Sequence, residues 1–103
     1  NSILIFTSKF CEVVSKVLEN NNIIPYKNYT KNSVKYCKVE KNIFDAYIDE
    51  DPNIEKKEFL DMCVDCGFIK SNEAGKFVFN DNQVRIYFLN KTLVNIISGE
   101  EKC

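Results

Sequence analysis

The sequence predicts an α+β domain formed as a single unit over residues 1–103, with its last residues, 100–103, as a frayed tail. Three observations carry this. Apolar residues recur at helical spacing in four separate stretches. Between the third and fourth stretches the period switches to strict alternation, with Phe77 and Phe79 on one side of Asn80-Asp81-Asn82-Gln83 and Val84, Ile86 and Phe88 on the other. Finally, 103 residues with 45% apolar content, 8 Phe and 5 Tyr are enough to fill one core but not two.

The first helical stretch is capped by Thr7 or Ser8 and runs to about Asn20, with Phe10, Val13, Val14, Val17 and Leu18 as its buried stripe. Ile3 and Phe6 extend the same spacing backward, so residues 2–6 are either more of this helix or a separate strand. Pro25 pushes Ile24 out of the helical region, which predicts an extended segment at residues 23–26. Residues 27–33 read as a polar loop, and Val34 and Tyr36 alternate with Lys35 and Cys37 as a short strand. Helical spacing resumes at Val39, with Ile43, Ala46 (or Phe44) and Tyr47 on the same side.

Asp49-Glu50-Asp51-Pro52 ends that second helix, and Asn53 is placed to cap a third, whose stripe is Phe59, Met62, Cys63 and Cys66. Gly67 stands where a helix end takes a residue in the left-handed region. A two-residue turn at Asp81-Asn82 then pairs Phe79 with Val84 and Phe77 with Ile86. All the large apolar residues of the hairpin fall on one face, leaving Lys76, Val78, Asn80, Gln83, Arg85 and Tyr87 on the other. A last helix is capped by Thr92, turns Leu93, Ile96 and Ile97 inward and stops at Ser98-Gly99.

Composition excludes several function classes. No stretch approaches the 18 or so apolar residues that span a membrane, and Ile3-Leu4-Ile5-Phe6 is too short for a signal-peptide core. The absence of histidine weighs against triad hydrolases and mixed Cys/His zinc sites. Five cysteines at irregular spacing make a poor disulfide framework and suggest a reducing cytoplasm. Cys63-Val64-Asp65-Cys66 lacks the second pair that a zinc site needs, and it closes a helix where a redox motif would open one, so both thiols are expected in the core. Asp45, Asp49, Glu50 and Asp51 read as a solvated helix end. Neither a cofactor nor a metal is expected, and no enzymatic activity.

Net charge is −1, but it is unevenly spread: residues 21–38 sum to +4, 39–51 to −4, 52–66 to −2 and 67–91 to +2. Helix, short strand, helix, turn, helix, hairpin, helix is an order that resembles the winged helix-turn-helix superfamily. The residues that carry the resemblance are the run from Lys57 to Lys70, ending Cys66-Gly67-Phe68-Ile69-Lys70, and then Val84-Arg85-Ile86-Tyr87-Phe88-Leu89-Asn90-Lys91. Within the superfamily, size, topology and an Asn-, Lys- and Ile-rich composition are similar to the TcpK family of relaxosome accessory proteins of clostridial conjugative plasmids, and also to winged-helix modules of phage replication and primase proteins. That resemblance implies double-stranded DNA binding at an origin of transfer by a homodimer, without catalysis, beside other relaxosome or coupling proteins. Transcriptional regulation, replication initiation and protein interaction without DNA are the alternatives.

In the usual winged-helix mode the third helix enters the major groove. Here that helix carries Lys56 and Lys57 among Glu55, Glu58, Asp61 and Asp65, and phosphate repulsion opposes deep insertion. The expected reader is therefore the hairpin: Lys76, Asn80, Asn82, Gln83, Arg85 and Tyr87, with Arg suited to a narrow AT-rich minor groove and Asn or Gln to base edges. Lys27, Lys31, Lys35 and Lys38 are expected on phosphates, with Lys56 and Lys57 as secondary contacts. Ile3-Leu4-Ile5-Phe6 and Leu93-Val94-Asn95-Ile96-Ile97 are either core or a dimer contact.

Overall fold

The 18-residue first helix, α1 (Ser2–Glu19), takes in residues 2–6 and settles the first alternative the sequence left open. A computed structural model describes residues 2–20, 24–27 and 34–99. The elements that follow are β1 (Ile24–Lys27), β2 (Val34–Glu40), α2 (Lys41–Asp49), α3 (Lys56–Asp65), β3 (Phe79–Asp81), β4 (Val84–Asn90) and α4 (Lys91–Ser98). The strands form one antiparallel sheet in the order β1-β2-β4-β3. No helix among the described residues is long and apolar enough to cross a membrane.

The core lies between the helices and one face of the sheet. Phe10, Val13, Val14 and Val17 of α1 are fully buried, as the spacing predicts. They join Phe44 and Ile48 of α2, Phe59, Leu60 and Cys63 of α3, Val94 of α4, and Cys37, Val39, Tyr87 and Leu89 of the sheet. The register explains the sheet's share, since Cys37 pairs with Leu89 and Val39 with Tyr87, and cross-strand partners share a face. Val39 is thus a strand residue and not the start of a helical stripe. Glu40 caps α2 in extended conformation, and the helix buries Phe44, Asp45 and Ile48 in place of Ala46, which is exposed.

Local stops and starts follow from hydrogen bonding. Gly67 (φ +77°) ends α3 in a Schellman arrangement: Phe68 N–H donates to the Cys63 carbonyl (2.8 Å) and Gly67 N–H to that of Val64 (3.1 Å). This end places Phe68 against Phe10, with ring centroids 4.9 Å apart. Helix α3 is capped by Glu55, whose carboxylate accepts from Lys57 N–H and Glu58 N–H, and not by Asn53. Asn90 caps α4 by accepting from Leu93 N–H (3.1 Å), two residues ahead of the expected Thr92. On α4, Val94 is buried while Ile96 is 69% exposed, the reverse of the expected inward Ile96.

The strand that should precede the hairpin turn is broken. Lys70 N–H donates to the Phe88 carbonyl and Asn90 N–H to that of Phe68, so the exit of α3 already pairs with the second half of β4. The chain then leaves the sheet in a turn at residues 72–76, held by the Asn72 side chain, which accepts from Ala74 N–H and Lys76 N–H (2.9 Å each). It returns only for Phe79–Asp81.

Candidate nucleic-acid interface

The hairpin tip is built by residues with no apolar reason to be buried. Phe79 pairs with Ile86, Asn80 with Arg85 and Asp81 with Val84, so the turn residues are Asn82 and Gln83, both at positive φ (52° and 69°). Two positive φ values define a type I′ turn, whose twist matches that of the flanking strands. The expected turn at Asp81-Asn82 is therefore corrected by a register shift of two. A shift of two keeps the alternation, so Asn80 and Arg85 still share one face.

Which face meets the helices is the larger correction. Arg85, Tyr87 and Leu89 lie on the helix side, and Phe79, Ile86 and Phe88 on the outer side. Strand β4 sits between β2 and β3 and is covered on both faces, so Ile86, Tyr87, Phe88 and Leu89 are all buried. The outer face has its own small apolar cluster. Phe88 packs on Tyr36 (6.1 Å between ring centroids) and on Phe79 (5.1 Å), and the Lys70 ammonium lies 5.1–5.9 Å from all three rings.

Tyr87, expected at the DNA surface, is fully buried. Its hydroxyl donates to Asp45 Oδ1 (2.7 Å), its ring stacks on Phe77 (20° between planes) and meets Phe44 edge-on. Burial first, and the Asp45 hydrogen bond second, push the phenol pKa well above its ordinary value. Asp45, expected in solvent, is 7% exposed and also accepts from Lys41 Nζ (2.5 Å). No sequence signal marks this pair, because Asp45 and Tyr87 stand 42 positions apart.

The remaining expected contacts divide by their partners. Asn80, Asn82, Gln83 and Arg85 come together at the tip, all exposed, and Arg85 has no ion pair within the described residues. Lys38 lies on the outer face and is held by Asp81. Lys56 pairs with Asp49 (3.2 Å) and Lys57 with Asp61 (3.0 Å), so both α3 lysines are matched by acids. Lys76 is exposed in the turn at residues 72–76. Lys35 lies at the far end of the sheet, because the start of β2 meets the end of β4 at Tyr36–Asn90. Lys27 ends β1 at that same far end, and Lys31 lies outside the described residues. Of these lysines, Lys35 therefore lies away from the tip, whereas the Lys38 ammonium reaches Asp81 beside the turn.

The CxxC cysteines do not share an environment. Cys63 is fully buried, and burial pushes its thiol pKa far up, while Cys66 is exposed, with Sγ 3.4 Å from Met62 Sδ. A thiol held protonated is a poor nucleophile and a poor metal ligand. Among the described residues no group of three or more Cys, Asp or Glu side chains is arranged to hold a metal ion. No protein-family model matches the chain, and no curated protein is significantly similar to it.

Proposed function

We propose that the chain is a winged helix-turn-helix protein that binds double-stranded DNA through its hairpin, without catalysis. The observation that carries this reading is the contrast between two surfaces. Helix α3, the usual groove reader, has both its lysines matched to Asp49 and Asp61 and presents Glu55, Glu58 and Asp65 to solvent. The hairpin tip presents an exposed arginine, without an ion pair among the described residues, beside three amides. The sheet order supports the superfamily reading: β2, which lies between α1 and α2, pairs with the second strand of the hairpin.

Arg85 and Gln83 reach base edges or the minor groove, and Asn80 and Asn82 fix the register. A role at an origin of transfer, as a relaxosome accessory protein, is the biological setting this reading favours. The apolar first turn of α1, with Ile3, Leu4 and Ile5 each more than half exposed, and Ile96 on α4 support a homodimer.

The test is Arg85→Ala with Gln83→Ala, measured on a selected duplex and on a scrambled one across salt concentrations. Specific affinity should fall by roughly tenfold or more while the scrambled duplex changes less. Removing one cationic contact should also reduce the salt slope by about 1. Unchanged specific affinity overturns wing-centred reading. A larger loss in Lys56→Ala with Lys57→Ala restores the recognition-helix mode.

A further inference from the structure

We propose that Lys70 is a phosphate contact for DNA, held ready on the outer face of the sheet by the rings of Tyr36, Phe79 and Phe88. The inference rests on the hairpin-binding reading and extends it from the tip to a second surface. Every lysine of α1, α2 and α3 faces a carboxylate, and so does Lys38 of β2. Lys70 does not. Its ammonium lies 5.7 Å from the centre of the Tyr36 ring, 5.1 Å from that of Phe79 and 5.9 Å from that of Phe88. It has no acid or other hydrogen-bond acceptor among the described residues. An ammonium has three donors, so all three are left for an anion or for water.

The cation is fixed from two sides. Lys70 N–H donates to the Phe88 carbonyl (2.9 Å) and Ile69 bridges to Leu89, so the backbone that carries the side chain belongs to the sheet. The rings then hold the ammonium, since aromatic faces attract a cation. Lys70 therefore has less side-chain freedom to lose on binding an anion than exposed Lys35 or Lys76. Tyr36, Phe79 and Lys70 are each half-buried, so the cluster opens to solvent, while the helices pack on the opposite face over Cys37, Val39, Tyr87 and Leu89. The place of Lys70 along the hairpin suits a phosphate. It is level with Phe88, three positions from Arg85 in β4, which is about 10 Å at the ordinary rise of a strand. DNA grooves are roughly 7.5–8.5 Å deep. A hairpin whose Arg85 reaches base edges thus carries Lys70 at the height of the sugar–phosphate backbone. Arg85 and Phe88 lie on opposite faces of the strand, so the two cations serve different walls of the groove.

The experiment measures the affinity of the intact chain for a selected duplex, a scrambled duplex and the selected single strand across salt concentrations. The proteins are wild type, Lys70→Gln, Lys70→Arg, Phe79→Leu and Arg85→Ala, each checked for folding by circular dichroism. Lys70→Gln should weaken both duplexes by the same factor, roughly three- to tenfold, and reduce the salt slope by about 1. Lys70→Arg keeps the charge over the rings and should stay within about twofold of wild type. A merely structural role for Lys70 would lower the melting temperature and leave the salt slope alone, so an unchanged slope in folded Lys70→Gln overturns the phosphate site. A loss confined to the selected duplex overturns it too, because that is the mark of a base contact. Tighter binding of the single strand than of the duplex, weakened by Phe79→Leu, would make the rings a stacking surface for bases and likewise overturns the assignment. Should Arg85→Ala leave the selected duplex unaffected, the hairpin reading fails, and this proposal with it. If Arg85→Ala weakens binding but Lys70→Gln does not, only the Lys70 site is lost.

Discussion

Gln83→Gly should make the protein more stable while weakening the DNA contact proposed for the hairpin. Gln83 holds φ at +69° at the second central position of a type I′ turn, where glycine is the favoured residue. A non-glycine residue in the left-handed region costs about 1–2 kcal/mol. Glycine gives back roughly 0.5–1 kcal/mol through the greater freedom of the unfolded chain. The net gain is about 0.5–1 kcal/mol, because the side chain is exposed and makes no hydrogen bond among the described residues that the substitution would remove. For a domain of this size that is a rise in Tm of roughly 2–8 °C. Thermal unfolding followed by circular dichroism reads it directly. Gln83→Ala is the control, since alanine keeps the strain and loses the amide, and it should melt with wild type. A Gln83→Gly protein that melts at or below wild type refutes the turn assignment, and with it the register that puts Arg85 beside Asn80. Duplex affinity on the same protein tests the second half: a gain in affinity would show that the tip profits from order and that the Gln83 amide is not a contact.

Two more outcomes follow from the clusters on either side of β4. Lys70→Met keeps the aliphatic stem and removes the charge above Tyr36, Phe79 and Phe88, so it should cost about 1 kcal/mol in urea unfolding, with Lys70→Arg losing less than half of that. Cys63→Ser puts a hydroxyl in the core and should cost roughly 1–3 kcal/mol, whereas Cys66→Ser should stay within about 0.5 kcal/mol, and iodoacetamide should label Cys66 in the folded protein but Cys63 only on unfolding. Because the folded Cys63 thiol has a raised pKa, its contribution to stability is full below the unfolded value of 9.0 and is lost as pH rises above it, so Cys63→Ser should flatten the start of the alkaline decline.

Features set by a single residue's backbone were legible in the sequence. Gly67 as the stop of α3 is one, because few residues but glycine sit at φ +77° without strain. The alternation of β4 and of Phe79 against Ile86 is another, and it survived a register error because the error was two residues. Phe77, expected on the face of Phe79, instead stacks on Tyr87 of the other face, because the chain leaves the sheet before Phe79. The turn itself was misplaced for a physical reason: Asp81-Asn82 looks better suited to positive φ than Asn82-Gln83, and the pairing of Phe79 with Ile86 overrode that local preference. The side facing the helices was not legible at all. A strand covered on both faces reads the same from either side, and Ile86, Tyr87, Phe88 and Leu89 are four buried residues in a row. Tyr87 and Asp45 were misread together, each as a polar group owed to solvent. Only the fold makes them partners, and a partner is what allows a carboxylate to be buried.

That pairing changes what net charge says about binding. A chain with a formal charge of −1 looks unsuited to a polyanion if all its lysines are counted alike. They are not alike: Lys38, Lys41, Lys56 and Lys57 are each held by an aspartate, and Lys16 by Glu12 and Glu50. A cation already matched releases few counterions from DNA when it approaches a phosphate, so it adds little to affinity or to its salt dependence. The same matching keeps the acids from repelling the backbone as strongly as their number implies, since each acid so paired is half of a near-neutral unit. What remains to act at a distance is the set without an ion pair among the described residues, which includes Arg85 beside the hairpin turn and Lys76 in the turn before it. On the proposed hairpin reading, a contact resting on few free cations should show a shallow salt slope and depend strongly on where those cations sit, so that the place of Arg85 beside the turn counts for more than the total charge.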